Sequence, residues 1–360
     1  MTPFLPPAEQ VAAYRQYIKR KWLVLGVLLL LTILVSLLCI CAGSSGLSVA
    51  EVLEAVFLGG TQESRTIVWN VRMPRVAVGI AVGIALSITG CIMQNVLRNP
   101  LASASTLGVS QGASFGAAVA IVYFGAGIQV NAGGASSALA LTNPFMVSLF
   151  AFLGGIATTA VVLALSRIAR ATPSTMILAG VALSALFSGA TALIQYFADD
   201  VMVATVVYWT FGSLGRAGWT EIAIIAVLSL AAFLYFLWNR WNYNAMESGV
   251  HTAKSLGVPV DRLMIVSMAV CALVSSVAVA FVGCINFIGL LAPHIVRKFV
   301  GNDHRFLIPC SALMGALLVL LADLVSRTIV APVVLPIGAL TSFLGAPLFL
   351  YLIVRRGNIK

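Results

Sequence analysis

Long apolar stretches separated by short polar ones make up most of this chain. Runs of span length fall at approximately 22–42, 76–97, 105–124, 146–166, 174–197, 219–238, 263–282, 285–299, 307–326 and 336–354. A bilayer core takes about 20 apolar residues per helix. The pattern therefore predicts an all-α polytopic membrane protein with about ten transmembrane helices. Pro293 and Pro347 interrupt the eighth and tenth runs, since proline removes a backbone donor and kinks a helix. No small-residue cleavage site clearly follows the first run, which is expected to stay as a span. The expected organisation is an N-terminal segment 1–21, one transmembrane domain 22–356 and a tail 357–360.

The largest pieces between runs are 43–73, 125–143, 198–218 and 239–262. The third, with Asp199 and Asp200 before an amphipathic, aromatic stretch, reads as a short helix lying at the outer surface of the membrane. The fourth ends in Leu256-Gly-Val-Pro259, a helix-stop pattern, and would hold two short helices. Gly79/Gly83 and Gly112/Gly116 have the G-x-x-x-G spacing that lets helix backbones approach. Gly90-Cys-Ile before Asn99-Pro-Leu101 is faintly echoed by Gly283-Cys-Ile before Pro293. Spans 2–5 and 7–10 would run in opposite senses, so an inverted repeat is geometrically open.

Composition narrows the class. The chain is 61% hydrophobic and 9% charged, against about 25% charged for a soluble domain. The net charge of +10 is no nucleic-acid signal, because the basic residues sit at the ends of apolar runs rather than in a stripe with aromatics. With a cytoplasmic N-terminus, 16 of the 21 Lys and Arg fall inside and only Arg65, Arg72, Arg75, Arg216 and Arg327 outside. The positive-inside rule favours N-in and C-in. The expected place is the cytoplasmic (inner) membrane, with 239–262 on the cytoplasmic side.

Catalytic chemistry is sparse. His251, His294 and His304 form no metal spacing, and the six cysteines are scattered with one C-x-C at Cys39 and Cys41, so buried small residues are the plainer reading. His251 and His304 are expected in solvated inside loops. His294, beside Pro293, is expected to hydrogen-bond backbone that the proline frees. Asp323 is the clear acid within a span, and its place four residues before Arg327 predicts a structural pair on one helix face. No G-x-x-x-x-G-K-[S/T] loop occurs, so ATP hydrolysis by that route would need a separate polypeptide.

Several segments together carry a family resemblance: Arg72-Met-Pro-Arg75, Thr89-Gly-Cys-Ile-Met-Gln94, Arg98-Asn-Pro-Leu-Ala102, Leu107-Gly-Val-Ser-Gln-Gly112, Leu178-Ala-Gly-Val-Ala-Leu183, Phe287-Ile-Gly-Leu-Leu-Ala-Pro-His294, Asp303-His-Arg305, Leu321-Ala-Asp323, and Leu335-Pro-Ile-Gly338 through Gly345-Ala-Pro347. In this order they resemble the FecCD-type permease subunits of ATP-binding-cassette importers for iron–siderophores, haem and cobalamin. The resemblance spans roughly residues 65 to 355. It implies ten spans with an inverted repeat of spans 2–5 and 7–10, and a homodimer or a pseudo-dimer with a paralogue. It also implies two ATPase subunits inside, an extracytoplasmic substrate-binding protein outside, and no cofactor bound by the chain itself. Carried over by motif, Arg72, Arg75 and Arg327 would meet acids on the binding protein. Asn99, Leu101, Thr172 and Ser174 would form the cytoplasmic gate, with Pro173 a departure from the hydroxyl-rich stretch of the cobalamin permease. Glu247, Ala253, Leu256 and Gly257 would meet the ATPase, and Pro293, His294 and Asp323 would be structural. A ferric siderophore is the default cargo, with cobalamin and haem open. An ion-coupled secondary transporter is the rival reading and would need intramembrane acids beyond Asp323. A membrane enzyme is third and lacks a nucleophile or metal constellation.

Overall fold

The computed structural model describes residues 7–43, 47–130, 138–168, 173–331 and 333–357. Among the described residues, seven helices are long and apolar enough to cross a membrane: α1 (Pro7–Cys41), α4 (Met73–Val96), α6 (Pro144–Ile168), α7 (Pro173–Tyr196), α9 (Trp219–Trp238), α12 (Val260–Val282) and α14 (His304–Thr328). Between them lie α2 (Val49–Leu53), α3 (Gln62–Ile67), α5 (Val109–Tyr123), α8 (Asp200–Thr210), α10 (Arg240–Glu247), α11 (Val250–Ser255), α13 (Ile288–Val300) and α15 (Ile337–Gly357). One antiparallel ribbon pairs β1 (Gly127–Val130) with β2 (Ala138–Leu141), Gly127 opposite Leu141.

Every expected apolar run falls on a helix, but not all reach span length. The eighth run, expected over 285–299, is the 13-residue α13. At 1.5 Å per residue it covers about 20 Å, short of a ~30 Å core. The π-helical turn Val68–Arg72 runs α3 straight into α4. The 198–218 segment supplies the short helix α8, and 239–262 supplies the pair α10–α11, as the stop pattern predicts.

Helix α4 is the centre of the bundle, packed against α9, α12, α13 and α14, while α5 packs on α6, α7 and α8, and α1 lies along α14. Burial follows from these positions: most of α4 is enclosed, whereas α7 leaves Leu178, Val181, Leu186 and Leu193 exposed. Apolar side chains gain little by leaving lipid for protein, so close backbone contact decides which helices pair. Gly83 of α4 meets Gly315 and Ala316 of α14 backbone to backbone, and Gly112 of α5 meets Gly154 of α6. A Cβ at any of these glycines would enter the facing main chain.

The chain is broken between α12 and α13. Gly283 (φ +81°) ends α12, and Phe287 (φ +65°) starts α13 from a left-handed conformation. Backbone polar groups exposed to lipid would each cost several kcal/mol. Here the broken segment is enclosed by protein: Ser213 N–H donates to Val282 O at 2.7 Å, and Asn286 Nδ2 donates to Ser342 Oγ at 3.1 Å. Inside α13, Pro293 leaves the Gly289 carbonyl without its helical donor. Gln94 Nε2 of α4 donates to that carbonyl at 3.3 Å. The ring of His294 packs edge-on against Phe349, centroids 6.2 Å apart.

Gly83→Ala is expected to lower thermal stability in detergent by about 1–3 kcal/mol, because overpacking forces α4 and α14 apart. Gly26→Ala, in α1 with nothing within 4 Å of the added methyl, should stay within about ±0.5 kcal/mol. Equal melting shifts for the two variants would contradict the close-contact account.

Candidate functional site

Polar side chains gather at the two ends of α4. At its first end, Asp323 of α14 is fully buried. Arg75 Nε donates to Asp323 Oδ1 at 2.7 Å. Arg327 Nε lies 2.9 Å from Oδ2, an ion pair without hydrogen-bond alignment. The same Arg327 donates through Nη1 to Ala42 O at 2.8 Å and through Nη2 to Cys39 O at 3.1 Å. Arg72 Nη1 donates to Ile40 O at 2.7 Å and Cys41 O at 2.9 Å. The last turn of a helix leaves carbonyls unpaired, and cations there are favourable. Two arginines thus cap α1. The predicted Asp323–Arg327 pair is present, with Arg75 as a third member. The expectation that all three arginines present their charge to a partner is corrected in part. Arg72 is 4% exposed and its guanidinium is turned inward onto α1, while the side chains of Arg327 and Arg75 are 9% and 15% exposed. Capping and pairing take the donors inward.

At the other end of α4 the hairpin α10–α11 closes on the bundle. Tyr243 and Met246 of α10 are buried, and burial pushes the Tyr243 phenol far above its usual range despite its hydrogen bond with Ser267, 2.8 Å away. Asn95 Nδ2, one residue before the end of α4, donates to Tyr243 O at 3.2 Å and to Glu247 Oε1 at 3.1 Å. Asn302 Nδ2, in the turn between α13 and α14, donates to Glu247 Oε2 at 3.3 Å. Beside it, Asp303 caps α14, accepts from Arg305 at 2.8–3.1 Å and from Asn244 Nδ2 at 3.1 Å, and pairs with the buried Lys21 at 3.3 Å. Partial burial alone would raise the Asp303 carboxyl. The bonds from Arg305 and Asn244, with Lys21 nearby, outweigh it and hold the group well below the carboxylate range.

The expected gate and coupling residues separate here. Asn99 Oδ1 accepts from Leu101 N–H at 2.8 Å, which closes a tight polar turn just past α4, and Leu101 is exposed. Ser174 is exposed in the first turn of α7, and Thr172 lies outside the described residues. Leu256 is 69% exposed, and Gly257 (φ +82°) faces open space. Ala253 is fully buried against the bundle, which corrects the expectation that it lies in a partner's cleft. Glu247 faces Asn95 and Asn302. His251 is exposed as expected, but His304 is fully buried, its ring Nδ1 3.0 Å from Asn244 Oδ1. Asn95, Asn244, Asn302 and Lys21 were not singled out in the sequence. Asparagine near a helix end has an ordinary local reading, and only Asp303, inside a family motif, carried a signal.

Among the described residues no group of three or more His, Cys, Asp or Glu could hold a metal. Residues 28–355 match the FecCD transport family. The chain belongs to that family. It is 35% identical over 340 residues to the hemin transport system permease protein of Yersinia pestis, covering 93% of this chain and 96% of that one. It is 36% identical over 343 residues to the vitamin B12 import system permease protein of Shigella sonnei, covering 94% and 96%. A protein of Methanocaldococcus jannaschii that carries an ABC transporter permease name is 50% identical over 343 residues, covering 95% and 97%. A solved inward-facing metal-chelate type ABC transporter superposes with a TM-score of 0.80 at 29% identity, covering 92% of this chain and 99% of that one. As a FecCD-family chain, it is the membrane permease component of an ABC transporter, a part that is not itself catalytic.

Asp323→Ala should lower stability by about 3–5 kcal/mol, because Arg75 and Arg327 lose a buried counter-charge. Arg75→Ala should cost less, since Arg327 still neutralises Asp323. Melting of both variants in the same detergent checks the order.

Proposed function

We propose that this chain is the transmembrane permease subunit of an ATP-driven importer that passes a metal chelate, delivered by an external binding protein, into the cytoplasm. In this reading it has ten spans, with α5, α13 and α15 completing the seven long ones, and an inverted repeat of spans 2–5 and 7–10. Both termini are cytoplasmic. Two copies form the pathway, two separate ATPase subunits bind below, and the binding protein docks above. The observation that carries the reading is one of position. The exposed Leu256–Gly257 tip of α10–α11 and the Asn99–Leu101 turn lie beyond the same end of α4, in a chain that aligns nearly end to end with hemin and vitamin B12 permeases. A partner pressing on that tip would act next to the turn that guards the pathway, with Ser174 and Thr172 contributing on the α7 side.

The relatives named for hemin, Fe(3+)-citrate and vitamin B12 support a large chelate as cargo, and a ferric siderophore is proposed first. The binding protein is assigned to the end that carries Arg72, Arg75 and Arg327. Arg75 keeps the most open side chain of the three, while Arg72 and Arg327 hold the helix ends on which a partner would sit. An ion-coupled carrier fits less well: Asp323 is engaged by two arginines as a structural pair, and the sequence offers no second acid in the interior of a span.

Two measurements test the reading. A reporter fused after Lys360 should be cytoplasmic and a cysteine at Thr61 should label from outside; an externally accessible C-terminus would overturn the orientation. Leu256→Asp should reduce co-purification of the ATPase at least tenfold with stability unchanged, because a charge replaces an exposed apolar contact. Full recovery of the ATPase with that variant would move the docking site elsewhere.

A further inference from the structure

Beside the buried Tyr243 and Met246, α10 carries two polar side chains three residues apart, the half-buried Asn244 and the exposed Glu247. Each is spent on a different element. Glu247 uses one carboxylate oxygen on Asn95 of α4 and the other on Asn302 of the α13–α14 turn. Asn244 holds the same turn through Asp303 Oδ1 at 3.1 Å and His304 N–H at 2.8 Å. The turn is itself fixed to α1 by Lys21. Asn95 is 4% exposed, both bonds of its Nδ2 go to α10, and its Oδ1 has no partner among the described residues.

This arrangement differs in kind from the rest of the α10 contact. Apolar burial is non-directional, so an apolar face slides over its neighbour with little change in energy. Hydrogen bonds weaken steeply with angle and distance, so they fix register and move their partners together. At the inner end of α4, the polar link to α10 runs through Asn95. Four residues on, Asn99 closes the turn that bears Leu101, after Arg98 in a left-handed conformation (φ +47°) that ends the helix abruptly.

We infer that Asn95, Glu247 and Asn302 form a strut through which displacement of the α10–α11 hairpin shifts the inner end of α4 and with it the Asn99–Leu101 turn, an inference that rests on the importer reading above. Asn95 is then a positioning residue for gating, and Glu247, though exposed, spends both carboxylate oxygens on Asn95 and Asn302 within the subunit. The α13–α14 turn is the fixed point, because Lys21, Asn244 and Arg305 all hold Asp303.

The test uses the full transporter, the chain assembled with its ATPase subunits in lipid nanodiscs, with spin labels at position 101 of both copies. ATP with vanadate is the probe, and no cargo is needed. The wild-type label distance should change on trapping. Asn95→Leu removes both bonds to α10 at nearly constant volume. It should leave ATP hydrolysis within twofold of wild type while the label shift falls by at least half. Asn302→Ala, at an exposed turn position that should not disturb folding, should reduce the shift in the same direction by a smaller amount. If Asn95→Leu does not assemble, Asn302→Ala decides. A full label shift with retained hydrolysis in the variants overturns the strut. Loss of ATPase binding by a folded Asn95→Leu subunit also overturns it, by making this junction part of the docking surface. A wild-type chain that recruits no ATPase at all overturns the importer reading, and the strut with it.

Discussion

Helix α4 has to satisfy four neighbours without water, and most of the structure follows from how it does so. In hydrocarbon there is no solvent to rescue an unpaired carbonyl or an isolated charge. Gly83 gives α14 its close approach, and Gln94 Nε2 reaches the carbonyl that Pro293 leaves open in α13. A proline in a 13-residue helix beside a left-handed phenylalanine would be costly anywhere facing lipid. Against α4 it is covered and its free acceptor is used. The break between α12 and α13 is therefore a consequence of where α4 sits.

The charged groups obey the same constraint at the two ends. At one end, Arg75 and Arg327 neutralise Asp323 while Arg327 and Arg72 cap the last carbonyls of α1. At the other, Asp303 gathers Lys21, Asn244 and Arg305. Each cluster ties the peripheral α1 to the central helices, so α1 is held by polar contacts at its two ends as well as by its apolar packing along α14. Between the clusters the packing is apolar and small-residue, which permits tight contact but specifies little about register. The ends specify register.

A FecCD-family permease has to move while keeping these groups paired, which concentrates motion where pairing is loose. The Asn99–Leu101 turn and the Leu256–Gly257 tip are exposed and joined to the rest by few polar bonds. The bond from Asn95 to Glu247 links the elements that bear them. On the strut proposed above, force would pass through this small polar junction rather than through the broad apolar face of α10.

The order of apolar runs, the positions of Gly83 and Gly112, the pair Asp323–Arg327 and the two short helices in 239–262 were all legible in the sequence. Each depends on local period, side-chain size or i,i+4 spacing, which a linear chain displays directly. The partners of Arg72, the burial of His304 and Ala253, and the donor for the Gly289 carbonyl were not. Each joins residues far apart in the chain: Arg72 with Ile40, His304 with Asn244, Gln94 with Gly289. An arginine at a helix end looks the same in sequence whether it faces a partner protein or caps a neighbouring helix. An asparagine beside a helix end looks the same whether it turns to solvent or spans two elements. Composition and period determined that this chain is a bundle of membrane helices. Only the packing of those helices decided which of its few polar groups face outward, because in a medium without water each must find its partner within the protein.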